Sequence, residues 1–107
     1  MTDLSKITNA AVRTALEAFQ SGDKAGWLAA FTADARLTDD GNPRSFAGFS
    51  DDAIGHEHFT DIEVVEEGGL SLAGQYQSDE WGDFRTFFKF HVGPGGKFSQ
   101  LDIGQAE

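Results

Sequence analysis

The spacing of apolar residues changes about a third of the way along the chain, and this change strongly constrains the fold. Up to Phe31 the apolar residues recur at steps of three and four, whereas from His56 they alternate with polar residues. The first pattern is typical of amphipathic helices, and the second is typical of strands with one buried face. Because helices precede a run of hairpin-linked strands, the sequence predicts an α+β fold with its helices on one face of an antiparallel or mixed sheet.

The helical pattern forms two segments, which we place at Leu4–Phe19 and Lys24–Phe31. Thr2 or Asp3 is predicted to cap the first amides of the first helix. Gly22 is predicted to end that helix, because glycine adopts the left-handed conformation without a steric penalty. The short connection between the two segments indicates that the helices pack together as a pair.

The middle of the chain predicts a short strand, a tight turn and a short third helix. The strand is placed at Ala35–Asp39, and the turn follows in the sequence Asp-Gly-Asn-Pro at 40–43. Ser50 is predicted to cap the third helix, and Gly55 limits that helix to about one or two turns.

The later strands are predicted to direct one set of side chains towards the helices. Alternation assigns the following residues to this inward face: Thr60, Ile62, Val64, Leu70, Leu72, Gly74, Tyr76, Phe84, Thr86, Phe88, Phe90, Leu101 and Ile103. The opposite face is mixed and polar, with few acids, and comprises Ser71, Ala73, Gln75, Gln77, Arg85, Phe87, Lys89, His91 and Gln100. We interpret this outer face as a homodimer interface, with simple exposure to solvent as the alternative.

Length and composition exclude several classes of protein. The chain has 107 residues, no cysteine and a net charge of −10. This length predicts a single domain, placed at residues 1–107, and the lack of cysteine excludes disulfides and thiolate chemistry. The acidic balance and scattered basic residues argue against nucleic acid and anionic membranes as partners. Because no apolar stretch reaches the roughly 20 residues of a membrane span, we predict a cytoplasmic location.

Two sequence segments carry a resemblance to a known family. The segments are FQSGDKAGWLAAFTADARLTDDG at 19–41 and FKFHVGPGGKFSQLDIG at 88–104. Together with the order of elements, they resemble the nuclear transport factor 2-like superfamily, which includes SnoaL-like and ketosteroid isomerase-like proteins. The resemblance implies a cone in which a bent sheet wraps the helices around an apolar pocket. It also implies a homodimer through the outer face of the sheet.

The same resemblance suggests a catalytic role for Asp39. The pattern D-A-x-L-x-D at 34–39 is similar to that of ketosteroid isomerases, whose general base falls at the position of Asp39. The positions of the two strong oxyanion donors of that family correspond here to Ala15 and Thr86, which argues against a steroid-type isomerase. The alternative is that Asp39 is a surface residue at the start of a turn.

His56 and His58 are the other candidate catalytic residues. Residues two apart on a strand share a face, so the two imidazoles could form an acid–base pair with a carboxylate such as Asp39. Alternatively, His56 ends the short helix, where a cation is favourable and the side chain is solvated. No third ligand stands at a recognisable spacing, so we predict neither a metal site nor a cofactor.

A set of apolar residues and one hydroxyl is predicted to contact a small apolar or aromatic molecule. The set comprises Trp27, Phe31, Thr86, Phe88, Phe90 and Leu101. The alternative is that the aromatic members only form the core. Two functions therefore remain open: an isomerase- or cyclase-type enzyme that transfers a proton through Asp39, or a non-catalytic module that binds a ligand or dimerises.

Overall fold

The helices lie in the first half of the chain, and most of the remainder forms one sheet. The computed structural model describes residues 4–106. The helices are α1 (Ala10–Ser21), α2 (Lys24–Ala29) and α3 (Phe46–Ala53), and the strands are β1 (Phe31–Asp39), β2 (Asn42–Arg44), β3 (Glu57–Glu66), β4 (Ser71–Ser78), β5 (Gly82–Val92) and β6 (Phe98–Gln105). Within the described residues, no helix is long and apolar enough to cross a membrane. The cytoplasmic location stays a prediction.

The six strands form one open, mixed sheet in the order β2-β1-β6-β5-β4-β3. All neighbouring strands are antiparallel except β1 and β6, which are parallel. In this topology β1, β4 and β6 end at the same end of the sheet at which β3 and β5 begin. The α+β fold with helices packed on a mixed sheet is confirmed.

Aromatic side chains form the contact between the helices and the sheet. The Phe19 ring of α1 lies 5.4 Å from the Phe88 ring of β5, edge to face, and the Trp27 ring of α2 lies 4.8 Å from Phe31 of β1. Trp27 also donates a buried hydrogen bond of 3.0 Å from Nε1 to Ser50 Oγ in α3. The inward faces of β4, β5 and β6 are confirmed, because alternate residues of β4 and of the centre of β5 are buried, as are Leu101 and Ile103 of β6.

The first helix begins later than the apolar pattern predicts. It starts at Ala10, and Asn9 caps it by accepting a 3.1 Å hydrogen bond at Oδ1 from the Val12 amide. The predicted start at Leu4 is wrong because the Asn9 side chain satisfies the helix amides itself. The predicted caps Thr2 and Asp3 lie outside the described residues. Gly22 ends the helix as expected, with a φ of 78°.

The boundaries around β1 and α3 also differ from the prediction. The second helix ends at Ala29, and Phe31 begins β1 rather than completing the helix. The third helix begins after Ser45, whose Oγ accepts a 3.0 Å hydrogen bond from the Gly48 amide. Ser50 is therefore not the cap. It lies within the helix, and its hydroxyl donates to the Phe46 carbonyl at 2.9 Å.

The inward face of β3 departs from simple alternation. Thr60 and Val64 are exposed, whereas Phe59 and Ile62 are buried. The pairing of β3 with β4 shifts register twice, between Phe59 and Asp61 and between Ile62 and Val64. Each irregularity changes which residues face the core, so the predicted face of Thr60 and Val64 is wrong.

Candidate active or binding site

A cavity of about 860 Å³ opens at the end of the sheet where β1, β4 and β6 end and where β3 and β5 begin. Its walls come from the ends of β1, β4 and β6, the starts of β3 and β5, and the facing side of α3. The order and direction of the strands explain this convergence. Where two neighbouring strands are antiparallel, one begins at the end of the sheet at which the other finishes.

Among residues 4–106, six carboxylates and one arginine line the cavity. The acids are Asp39, Asp40, Asp52, Glu57, Glu80 and Asp83. Arg44 of β2 donates hydrogen bonds to Asp39 Oδ2 at 2.9 Å and to Asp52 Oδ2 at 3.4 Å. Its guanidinium carbon lies 5.4 Å from the centre of the Phe49 ring. Arg44 thus pairs with two carboxylates, offsets one of their two negative charges and joins the β1–β2 hairpin to α3.

A tyrosine and a glutamate form a second polar group in the cavity wall. Tyr76 donates from its hydroxyl to Glu57 Oε1 at 2.7 Å, and Ser78 Oγ donates to Glu57 Oε2 at 3.1 Å. Burial and the adjacent Glu57 carboxylate raise the pKa of Tyr76 well above its ordinary value. The phenol therefore stays protonated and acts as a hydrogen-bond donor.

Thr86 of β5 contributes a buried hydroxyl without a partner. The residue is 4% exposed and lines the cavity. Within residues 4–106, no hydrogen-bond partner is found for its Oγ1. Buried polar groups are normally hydrogen-bonded, so this hydroxyl is an exception that calls for an explanation.

Aromatic side chains complete the cavity. Phe84 and Phe88 lie on the same strand as Thr86, and the Phe84 ring is 5.5 Å from the Tyr76 ring. Trp81 stands at the rim, in the turn between β4 and β5, and is 71% exposed. Ser78 Oγ accepts the backbone amide of Trp81 at 3.1 Å, which anchors this turn. The cavity is thus apolar on its β5 side and acidic at its opening.

Comparisons with known proteins identify the fold. No family model matches the sequence, and no curated protein is similar enough in sequence to be matched. Among solved structures, a nuclear transport factor 2-like protein of unknown function from Cytophaga hutchinsonii matches 92% of this chain and 89% of its own, with a TM-score of 0.73 and 10% identity. The chain has the nuclear transport factor 2-like fold.

Two further structures show the range of proteins that share this fold. A protein from Xanthomonas campestris pv. campestris, described as a putative polyketide cyclase, matches with a TM-score of 0.66 and 18% identity over 94% of this chain and 91% of its own. The orange carotenoid protein of an Anabaena (Nostoc) species, binding canthaxanthin, matches with a TM-score of 0.69 and 16% identity over 91% of this chain and 35% of its own. At these identities the likeness concerns the fold.

Within this nuclear transport factor 2-like fold, three of the predicted site residues meet in the cavity. They are Asp39, Thr86 and Phe88. The register explains their proximity, because Ile103 of β6 pairs with Asp39 on one side and with Phe88 on the other. Thr86 lies two residues before Phe88 and faces the same way.

The two predicted histidines lie elsewhere. His56 is exposed, and its Nδ1 is 3.3 Å from Asp79 Oδ2. His58 lines a different groove, between the start of β3 and α1. The structure therefore does not bring either imidazole to Asp39. Among the described residues, no group of three or more histidines or acids is arranged to hold a metal ion.

The remaining predicted contact residues are part of the core of the nuclear transport factor 2-like fold. Trp27, Phe31, Phe90 and Leu101 are at most 3% exposed and pack against other core residues. Their role in ligand binding stays a prediction. The cavity described above is lined instead by residues nearer the end of the sheet at which β1, β4 and β6 finish.

Several residues of the cavity carry too little sequence signal to be recognised as one site. Tyr76 has the inward alternation predicted for β4, but its hydroxyl partner Glu57 lies 19 positions earlier in the chain. Arg44 pairs with Asp39 and Asp52, which lie 5 and 8 positions from it in the chain, and the sequence does not single out this arrangement. Trp81 is an isolated tryptophan in a turn, and nothing in the sequence relates it to Thr86.

Proposed function

We propose that the chain binds a small molecule in the cavity at the end of its sheet, where β1, β4 and β6 end. The body of the ligand packs on Phe84 and Phe88, and a polar group of the ligand meets the hydroxyl of Thr86. The single observation that carries this proposal is the buried Thr86 Oγ1, which has no partner among residues 4–106.

The unpaired hydroxyl of Thr86 has an energetic cost in the ligand-free protein. Leaving a buried polar group without a hydrogen bond costs about 1–3 kcal/mol, and valine would fill the same volume without that cost. A ligand with a donor or acceptor at this position restores the missing hydrogen bond. The cavity volume of about 860 Å³ is within the range of small-molecule sites.

The structures of similar fold support a small apolar or aromatic ligand. The orange carotenoid protein, part of which shares the fold, binds canthaxanthin, an apolar molecule. The aromatic side chains on the β5 side of the present cavity suit a ligand body of the same chemical class.

The test measures binding of indole, a neutral aromatic with one hydrogen-bond donor, by ligand-observed NMR and titration calorimetry. We expect indole to bind the native chain and to bind Thr86→Val about ten-fold more weakly, as for the loss of one buried hydrogen bond. Thr86→Ser keeps the hydroxyl and should retain most of the affinity. Thr32→Val is the matched control, because it removes another buried, unpartnered hydroxyl outside this cavity. Equal affinity of the native and Thr86→Val proteins would refute the proposal.

A second candidate function is proton transfer by Asp39. The observation that favours it is that Asp39 and Thr86 line the same cavity, so a ligand carbonyl near the hydroxyl would lie beside a carboxylate. Asp39 Oδ2 is held by Arg44, and within residues 4–106 no hydrogen bond to its Oδ1 is found. This second oxygen would accept a proton from the carbon next to the carbonyl.

The test of the second candidate uses β-tetralone in D₂O and follows deuterium incorporation next to the carbonyl by NMR. Catalysis predicts exchange above the buffer rate, lost in Asp39→Asn and retained in Asp52→Asn, which alters the other partner of Arg44. Unchanged exchange in Asp39→Asn would exclude this carboxylate as the base. The outcome distinguishes an enzyme from a binding module.

We also propose a homodimer through the outer face of the sheet. All nine residues assigned to that face are half-buried within the single chain, and all of them except Ala73 and Phe87 are polar. Sedimentation at micromolar concentration should show a dimer, and Phe87→Glu at the centre of the face should dissociate it. A monomer over the whole concentration range would contradict the proposal.

A further inference from the structure

The charges around the cavity define the class of ligand more narrowly. We infer that the ligand is an organic cation, an ammonium group attached to an aromatic or apolar body. The inference rests on the proposed function of the same cavity. Its first observation is that, among residues 4–106, six carboxylates and one guanidinium line the cavity, which gives these groups a net charge of −5.

Within residues 4–106, four of these six carboxylates have no cationic partner. The single arginine is already bound to Asp39 and Asp52. The salt bridges found within residues 4–106 leave Asp40, Glu57, Glu80 and Asp83 without a basic side chain. Two of them receive neutral donors only: Asp40 accepts the Gln105 amide at 3.0 Å, and Glu57 accepts two hydroxyls. These bonds do not cancel the negative charge.

The position of these charges favours a cation in the opening. Most of these carboxylates are exposed to solvent. Because they are grouped on one concave surface, they still repel one another, and a cation between them relieves that repulsion. The same carboxylates would repel an anionic ligand. Arg44 offers it little compensation, because two carboxylates already occupy its guanidinium.

The aromatic residues at the opening fit the same ligand class. Trp81 is exposed at the rim, between Glu80 and Asp83 in sequence. Cations are attracted to the faces of aromatic rings, and tryptophan gives the strongest such interaction. Trp81 thus supplies an apolar surface that an ammonium group, unlike a carboxylate, contacts favourably.

The Thr86 hydroxyl is the second, independent observation that points to a ligand. The hydroxyl is buried and has no hydrogen-bond partner within residues 4–106, and its residue lines the same cavity as the acids. The carboxylates favour a positive charge at the opening, and the hydroxyl favours a polar group on the ligand body. A ligand with a hydroxyl or carbonyl on an aromatic body and an ammonium at the other end satisfies both.

Three probes that differ only at one end test the charge of the ligand. Tyramine carries an ammonium, tyrosol a neutral hydroxyl and para-hydroxyphenylacetate a carboxylate on the same hydroxyphenyl body. At neutral pH we expect tyramine to bind at least about ten-fold more tightly than tyrosol, and para-hydroxyphenylacetate to bind most weakly. The preference should shrink to about three-fold or less at about 1 M NaCl, where the Debye length is about 3 Å.

Variants that remove charge locate the effect. Glu80→Gln/Asp83→Asn should abolish most of the preference for tyramine over tyrosol, because it removes two unpaired carboxylates from the cavity. Asp34→Asn/Glu66→Gln makes the same change in net charge at exposed positions elsewhere and should leave the preference intact. A loss of preference in both double variants would mean that only the overall charge of the chain matters, and would overturn the inference.

The remaining outcomes separate this inference from the proposed function. If tyramine, tyrosol and para-hydroxyphenylacetate bind equally and all bind more weakly to Thr86→Val, the cavity binds ligands but has no preference for cations. If indole binds and tyramine does not, the inference is wrong and the proposed function stands. If neither indole nor tyramine binds at millimolar concentration, both are wrong.

Discussion

At the scale of single residues, Thr86 combines a cost in stability with a place in the candidate site. Its Oγ1 is buried without a partner among residues 4–106. Replacing the hydroxyl by a methyl group removes the cost of burying a polar group that has no hydrogen bond. We expect Thr86→Val to raise the free energy of unfolding of the ligand-free protein by about 1 kcal/mol, measured by urea denaturation.

The control for this prediction is the effect of a ligand on the same two proteins. A ligand that bonds to Thr86 stabilises the native chain and does much less for Thr86→Val, so the order of stability should reverse at saturating ligand. If Thr86→Val is less stable than the native chain without ligand, the hydroxyl already has a partner such as an ordered water, and its role in binding loses its support.

At the scale of elements, the irregular pairing of β3 with β4 depends on a glycine. Gly74 is buried in β4 and pairs with Ile62, between the two register shifts of β3. A Cβ atom at position 74 would overlap the carbonyl oxygen of Asp61. The backbone of β3 can approach β4 this closely only because residue 74 has no side chain.

We therefore expect Gly74→Ala to destabilise the protein by about 3 kcal/mol or more, because a clash with backbone is relieved only if the two strands separate. Thermal or urea denaturation measures this. Ala73→Gly, the reverse change at the neighbouring residue of β4, provides a control and should cost only about 1 kcal/mol from strand flexibility. A neutral effect of Gly74→Ala would mean that β3 pairs with β4 without this irregularity.

The same elements show how far the sequence predicts the fold. Alternation identifies the inward faces of β4, β5 and β6, because these strands pair regularly at their centres. It fails for β3, because the spacing of Thr60, Ile62 and Val64 contains no sign of a bulge. The start of α3 is ambiguous in sequence, since Ser45 and Ser50 are both good caps. Burial of Ser50 against Trp27 decides between them, and that contact is visible only in three dimensions.

The candidate site was predictable to a similar extent. Asp39, Thr86 and Phe88 follow from family resemblance and strand alternation, and the structure brings them together in one cavity. Glu57 begins β3, and Trp81 lies in the turn that follows β4. Their positions in the cavity depend on how the start of β3 meets the end of β4. Neither residue has a local pattern that indicates its neighbours, so the sequence alone does not reveal the acidic opening.

At the scale of the whole molecule, the net charge of −10 is unevenly distributed. In the sequence, most acids fall in caps and turns and suggest only solubility. In the fold, six of the eighteen acids line one cavity, because the turn residues Asp40 and Glu80, Asp52 of α3 and the acids near the ends of three strands meet at one end of the sheet. Only two of these acids lie in turns, so the acidic opening also depends on helix and strand residues that are far apart in the sequence.

The sheet as a whole is held near its centre by Asp102 of β6. This carboxylate is 23% exposed and accepts hydrogen bonds from Thr38 of β1 at 2.7 Å, from Gln100 at 2.7 Å and from His91 of β5 at 2.6 Å. Burial disfavours its charge, but the bonds from Gln100, His91 and Thr38 outweigh burial and lower the pKa of Asp102. Asp102 thus links three adjacent strands.

Because the folded protein lowers this pKa, the stability contributed by Asp102 is complete above the unfolded pKa of about 3.9 and is lost as the pH falls through the folded value. We expect Asp102→Asn to lower the free energy of unfolding by about 1–2 kcal/mol at pH above about 5, with a difference that shrinks below about pH 4. Urea denaturation across this range, at low protein concentration because the pI is about 4.5, measures the difference. Ser71→Ala changes no ionisable group, so its effect should not vary with pH. A pH-independent deficit in Asp102→Asn would show that packing, rather than the charge of Asp102, joins the three strands.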